Sequence, residues 1–361
     1  MNSTFFIALL AAFTGFLAPA ICYSFIVRRN NRFNEEASLQ KSAFLPFAIT
    51  AFFLSVGLFF ILYTPQQFLT SFSLIELIVP FGAVILVYLS TLYHKTAKFF
   101  PLFLFIGALA GSFALPENAA AAVFPLNPLY NRIIICIIWF AFSYIYRYAN
   151  SGDAMLSIQS ATIAVGIGFL GFIDAIPMLL GVIGLTFAAS FAALMSFTWH
   201  PSRLRIPTNT SCCFGFIICA LCIWTATENA GSCVTIYALY LLVDFIWAAA
   251  LRLSFVEKYA SIANNTAYRE AVAQGMSPAA AASFSLRGQI LLLFLGSFQA
   301  LADNQSSLLL ISFLIIVWFL YKFRNISETV SSIRDINRQV IDDLQDRVND
   351  IKQYINRDKD F

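Results

Sequence analysis

Charge is what this chain has least of. Of its 361 residues only 11% are charged, while 60% are hydrophobic and 16% aromatic. Soluble domains carry roughly 25% charged residues, so a water-facing surface cannot be built from this composition. The net charge of +3 is too small to point to nucleic acid. Histidine occurs twice, at His94 and His200, and no G-x-S-x-G or comparable nucleophile motif accompanies either. The seven cysteines are an odd number and set up no disulfide framework. Cys219 and Cys222 form a C-x-x-C, but inside an apolar run that spacing reads as packing rather than a metal or redox site. A cleavable leader is not expected either. Ala18-Pro19-Ala20 resembles a signal-peptidase site, yet no cation precedes the first apolar run and Arg28, Arg29 and Arg32 follow it.

What remains is a succession of apolar runs near the length a helix needs to cross a bilayer. They fall at 4–27, 44–64, 73–93, 99–115, 131–148, 155–173, 176–197, 211–228, 233–253, 286–302 and 306–323. The expected fold class is therefore all-α: a polytopic membrane protein with about eleven transmembrane helices over residues 1–323. With the N-terminus outside, the cytoplasmic connections and tail hold 21 of the 22 Lys and Arg residues, and Arg132 alone lies outside. That asymmetry is the positive-inside pattern, and it places the C-terminus in the cytoplasm.

Two regions interrupt the rhythm. Residues 254–285 are the longest cytoplasmic connection and read as a short helix, a break at Gly275 and a lead-in to the next span. Residues 324–361 form a separate element. Ile326, Val330, Ile333, Ile336, Val340, Leu344, Val348, Ile351 and Ile355 recur at steps of three and four, the pattern of an amphipathic helix or short coiled coil. From Lys322 onward eight basic and eight acidic residues cancel. A helix built for anionic lipid is basic on its polar face, so the tail fits a protein partner or self-association through 325–361.

Several segments carry chemistry-bearing residues in a suggestive order: VYLSTLYHKTAKFF (87–100), IWFAFSYIYRYANSGDAML (138–156), LRIPTNTSCCFGF (204–216), VTIYALYLLVDFIWAAALRL (234–253) and TAYREAVAQGMSPAAAASF (266–284). Taken together, they resemble the bacterial polyprenyl-phosphate N-acetylhexosamine-1-phosphate transferases. Those membrane enzymes move a sugar phosphate from a UDP-sugar to a lipid phosphate at the start of cell-envelope glycan synthesis. Ser211, Gly215, Phe216, Asp244 and Arg252 fall in register with the family's segments. The resemblance implies the bacterial inner membrane, eleven spans with the N-terminus outside, and a polyprenyl phosphate partner.

The departures matter more than the matches. Where the family has an acidic pair that binds magnesium, this chain has Tyr93 and His94. Asn150 replaces the first Asp of the next motif and only the second survives, as Asp153. Thr208 replaces a further Asp, and Thr266, Tyr268 and Arg269 replace a histidine cluster. Transfer between two anionic phosphates needs charge neutralisation, usually by Mg²⁺ on carboxylates. The reading that follows is a catalytically degenerate relative acting as a binding or regulatory partner, with no cofactor and Mg²⁺ only if the chain is active.

Asp153 is the one catalytic or metal candidate, with helix capping as its structural alternative. His94, Lys95, Lys98, Arg203, Arg205 and Arg269 are substrate-binding candidates, and His200 lies beside them in sequence near Arg203. Asp244 and Glu76 are ionisable groups within spans, where a charge is costly and marks a functional or structural role. Asp244 has Tyr237, Tyr240 or a neighbouring helix as expected partners. Two rival readings are an active transferase with a rearranged site and a transporter or flippase-like carrier. Gly166-Ile167-Gly168-Phe169-Leu170-Gly171 is too apolar for a phosphate loop and reads as a helix-packing surface.

Overall fold

The computed structural model describes residues 2–32, 79–80, 82–88, 99–115, 127–149, 154–204, 206–253, 262–302 and 307–324. The expected span at 44–64, most of that at 73–93, and the tail 325–361 lie outside the described residues.

The described residues are helical, with no strand among them. The helices are α1 (Asn2–Arg32), α2 (Phe100–Ala114), α3 (Pro128–Ala149), α4 (Met155–Phe172), α5 (Met178–Thr198), α6 (Thr208–Thr225), α7 (Gly231–Leu253), α8 (Ala267–Ala273), α9 (Pro278–Leu301) and α10 (Ser307–Arg324). A short helical stretch also covers 82–88. Among the described residues, seven helical stretches are long and apolar enough to cross a membrane, and α2 is a shorter apolar helix. The protein is an all-α polytopic membrane protein.

The longest of the seven, Thr208–Leu253, has 46 residues. A straight helix of that length would measure roughly 69 Å, more than twice the ~30 Å hydrocarbon core. It is broken by a π-turn over Ala226–Ala230, where Glu228 (φ −93°, ψ 27°) and Asn229 (φ 61°, ψ 12°) leave helical geometry. Asn is one of the few residues that tolerate the left-handed region. α6 and α7 both pack on α4, so the stretch makes two crossings, as the two apolar runs at 211–228 and 233–253 imply.

Short connections force neighbouring helices to run antiparallel. Residues 150–154, 173–177, 199–207 and 302–306 are each too few to recross the bilayer. Side-chain contacts give the same directions. In the α4–α5 pair, Ser157 and Thr198 share a hydrogen bond at one end (3.1 Å), while Gly171 meets Gly181 near the other. α1 runs parallel to α5: Ala8 and Ala11 pack on Val182, Ser190 donates to the Gly15 carbonyl (2.6 Å), and Tyr23 meets Phe197. Arg132 reaches the Leu115 carbonyl, which sets α2 antiparallel to α3.

The bundle therefore has two ends. At one lie the C-termini of α1, α3, α5, α7 and α10, the N-termini of α2, α4, α6 and α9, and all of α8. At the other lie the Asn229 turn and Asp174. Among the described residues, Arg132 is the one cation at the Asn229 end. Arg28, Arg147, Arg203, Arg252, Arg269, Lys322 and Arg324 gather at the opposite end.

Glycine sets the closest approach. A Cβ on Gly171 would lie 2.5 Å from the Gly181 Cα, and one on Gly184 2.9 Å from the Gly168 nitrogen. Gly168 and Gly171 of the run thus lie in the α4–α5 interface, where backbones touch because no side chains intervene, while Gly166 faces Tyr237 of α7. α4 and α6 are the most enclosed of the described helices, whereas α1 and α10 turn Phe13, Phe25, Leu314 and Trp318 outward. Exposed Leu and Phe on the rim of such a bundle are the lipid-facing surface.

Candidate functional site

α8 and the ion pairs around it form the most polar buried arrangement among the described residues. The short helix is set up by its flanks. Thr266 is extended, Ala267 begins the helix, and Gly275 (φ 106°) turns the chain into α9. Only glycine adopts that φ without strain. Ser277 then caps α9 by accepting from the Ala280 N–H (3.3 Å), and Pro278 takes the first helical position.

α8 is too short to stand alone, and it is held from two sides. Ala267, Tyr268 and Ala271 bury themselves among Ala154, Met155 and Ile158 of the α4 start, Tyr240 and Val243 of α7, and Leu320 and Phe323 of α10. The second hold is electrostatic. The Ala267 N–H donates to Asp244 Oδ1 (2.9 Å), so a carboxylate from the interior of α7 caps α8. Arg324, at the end of α10, donates to the same Asp244 Oδ1 (3.3 Å), to the Asn265 carbonyl (2.8 Å) and to Glu270 of α8. Its guanidinium also lies 5.2 Å from the Trp247 ring. Asn265 in turn donates to the Ala248 carbonyl of α7 (3.4 Å).

Arg324 and Asp244 are each 7% exposed and Glu270 is 18% exposed. One buried guanidinium is thus matched by two carboxylates, a carbonyl and an aromatic face. Guanidinium suits this task because its rigid fork of donors serves several acceptors at once. The expected tyrosine partners of Asp244 are elsewhere: Tyr240 donates to Ser285 (2.9 Å) and Tyr237 meets Ser297 (3.4 Å). The neighbouring-element alternative is what the geometry gives, through α8 and α10.

The other expected site residues divide. Asp153, His94, Lys95, Lys98, Arg205 and Glu76 lie outside the described residues, as do Asn150 and Tyr93. Arg203 and Arg269 are both exposed at the α8 end. Arg269 donates to Asn264 Oδ1 (2.9 Å), and the Arg203 N–H donates to the Phe197 carbonyl (2.9 Å). Met195 and Trp199, just before Arg203, pack against the cluster around α8. The segments 138–156, 204–216, 234–253 and 266–284 therefore meet at one end of the bundle. His200 is exposed there too. Cys219, from the C-x-x-C, is buried in the main core.

Magnesium does not fit the donors described at this end. Thr208, Thr266, Tyr268 and Arg269 supply no carboxylate at their positions. The two described acids there, Asp244 and Glu270, are both bonded to Arg324. Among the described residues no group of three or more metal-ligating side chains comes together.

Glu270, Arg324, Trp247 and Asn265 were not anticipated from the sequence. One signal was available: an acid inside an apolar run calls for a buried base, and Arg324 ends the last apolar run. Neither the family models nor the curated proteins give a match to this chain.

Proposed function

We propose that this chain is a non-catalytic relative of the sugar-1-phosphate transferases, serving as a binding or regulatory partner in envelope glycan assembly. It sits in the bacterial inner membrane with its N-terminus outside and C-terminus in the cytoplasm. At its α8 end it binds a phosphate-bearing ligand, polyprenyl phosphate or a nucleotide sugar, and it docks to a protein partner through residues 325–361.

One observation carries this reading. Four of the five segments that resemble the transferase motifs converge, in their described residues, at one end of the bundle, yet the described carboxylates there neutralise Arg324. The exposed charges around them, on Arg147, Arg203, Arg252 and Arg269, are positive. Among the described residues, cations without free carboxylates favour holding an anion over gathering the metal that phosphoryl transfer requires. The cation-rich α8 end also supports the orientation, since cytoplasmic connections carry the excess of Lys and Arg.

The test is a transfer assay on the purified full chain. It uses undecaprenyl phosphate, a panel of UDP-sugars and Mg²⁺, and reads UMP release and lipid-linked product, with Asp153→Asn as control. No turnover is expected beside a working transferase. Turnover that disappears in Asp153→Asn would mean a rebuilt active site and would sink the proposal.

A further inference from the structure

A line of polar side chains runs through the bundle where α4, α7 and α9 meet. From the α8 end it passes Asp244 and Arg324, then Tyr240 with Ser285, Thr162 with Gln289 (2.9 Å), Tyr237 with Ser297, and Gln299 with Ser232 (3.4 Å). The α9 members alone, from Ser285 to Gln299, cover roughly 21 Å at 1.5 Å per residue. That is most of the hydrocarbon thickness.

Two members of this line are incompletely bonded. Gln159 Oε1 and Gln299 Oε1 are buried and accept no hydrogen bond from any described residue. Gln159 is 2% exposed and Gln299 0%. Gln159 shares a helix face with Thr162 and Gly166 at i, i+3 and i+7. Those two residues contact Gln289 of α9 and Tyr237 of α7, so Gln159 belongs to the same seam.

A buried acceptor without a donor carries the full cost of its desolvation, and lipid offers no donor. The remaining small donor is water, which occupies interiors where two to four polar groups converge. We infer that the seam between α4, α7 and α9 is a water-binding site within the membrane. One internal water donates to Gln159 Oε1 near Tyr240, Ser285 and Gln289. A second donates to Gln299 Oε1 near Ser232 and Tyr237. The α4–α5 interface, closed by glycine backbones in contact, is dry by comparison.

Hydroxyl-radical labelling in H₂¹⁸O, on the full chain in nanodiscs, tests this, because bound water is activated where it sits. Tyr240 and Tyr237 are 0% and 2% exposed. Tyr146, also 0% exposed, is the matched control outside the seam, with its hydroxyl on Ser160 (3.4 Å). The expected result is labelling of Tyr240 and Tyr237 several-fold faster than Tyr146. Gln159→Leu then removes the excess at Tyr240, and Gln299→Leu removes it at Tyr237. If leucine prevents folding, methionine, which matches glutamine's length, takes its place. Seam tyrosines labelled no faster than Tyr146, or an excess that survives both substitutions, would overturn the inference.

Discussion

Replacing Arg324 with methionine isolates the electrostatics of the clamp. The aliphatic stem is kept in outline and the charge is removed. At 3.3 Å from Asp244, the attraction between unit charges is about 5 kcal/mol at an effective dielectric near 20. Much of that is offset by the desolvation of the two ions. The cost of the substitution comes instead from what stays behind, a carboxylate that is 7% exposed with its cation gone. Removing one partner of a buried pair costs about 3–5 kcal/mol, or roughly two to three and a half decades in the folded-to-unfolded ratio. Asp244→Asn in the same chain removes the stranded charge, while its amide oxygen still accepts from the Ala267 N–H. The double variant is therefore expected to be more stable than Arg324→Met alone, with a coupling of about 2–3 kcal/mol. Denaturant titration of the purified protein, read by tryptophan fluorescence, measures all three variants. Strictly additive effects of the two substitutions, or a loss in Arg324→Met below about 0.5 kcal/mol, would refute the clamp.

Other perturbations probe separate contacts. Glu270→Gln should cost only about 1 kcal/mol in the same titration, because Glu270 is 18% exposed and the amide oxygen still accepts from Arg324. Gly171→Ala places a methyl 2.5 Å from the Gly181 Cα. It should lower the thermal midpoint, at a cost of about 1–3 kcal/mol, as α4 and α5 are wedged apart. Trp139→Phe loses the indole bond to the Phe216 carbonyl (3.0 Å). As Phe216 belongs to the α6 ladder, the expected loss is about 0.5–1.5 kcal/mol, measured in the same way. A fluorescent-protein fusion after Phe361 should fold and fluoresce if the C-terminus is cytoplasmic; a dark fusion with an active N-terminal fusion would reverse the orientation.

The described crossings were legible because hydropathy and helix length answer to the bilayer alone. The run at 211–228 and the run at 233–253 separate at Glu228 and Asn229, where the charge and the amide sit and where the backbone leaves the helix. The short helix, Gly275 break and lead-in within 254–285 were equally readable, since Gly, Ser and Pro act through local backbone preferences. The start of α9 was less so. Pro278 opens it well before the apolar run at 286, because alanines continue a helix without adding a hydropathy signal. The clamp was legible only from one side. Asp244 stands out in its run, but its partners, the Ala267 N–H and Arg324, lie 23 and 80 residues further along the chain, and periodicity carries no information about which helix end meets which loop. Arg324 counted as one more cytoplasmic cation, although its side chain is turned inward.

That inward turn gives the last crossing an unusual attachment. Arg324 is the final described residue before the stretch 325–361, and it grips the interior of α7 and two points around α8 at once. A load applied to the chain beyond it, by a partner that binds or by neighbouring copies that assemble, is shared between the peptide backbone of α10 and those ion pairs. The clamp is then the hinge pin of the α8 end. A force from the C-terminal side reaches α8, which carries Arg269, through that guanidinium's hold on Glu270 and the Asn265 carbonyl.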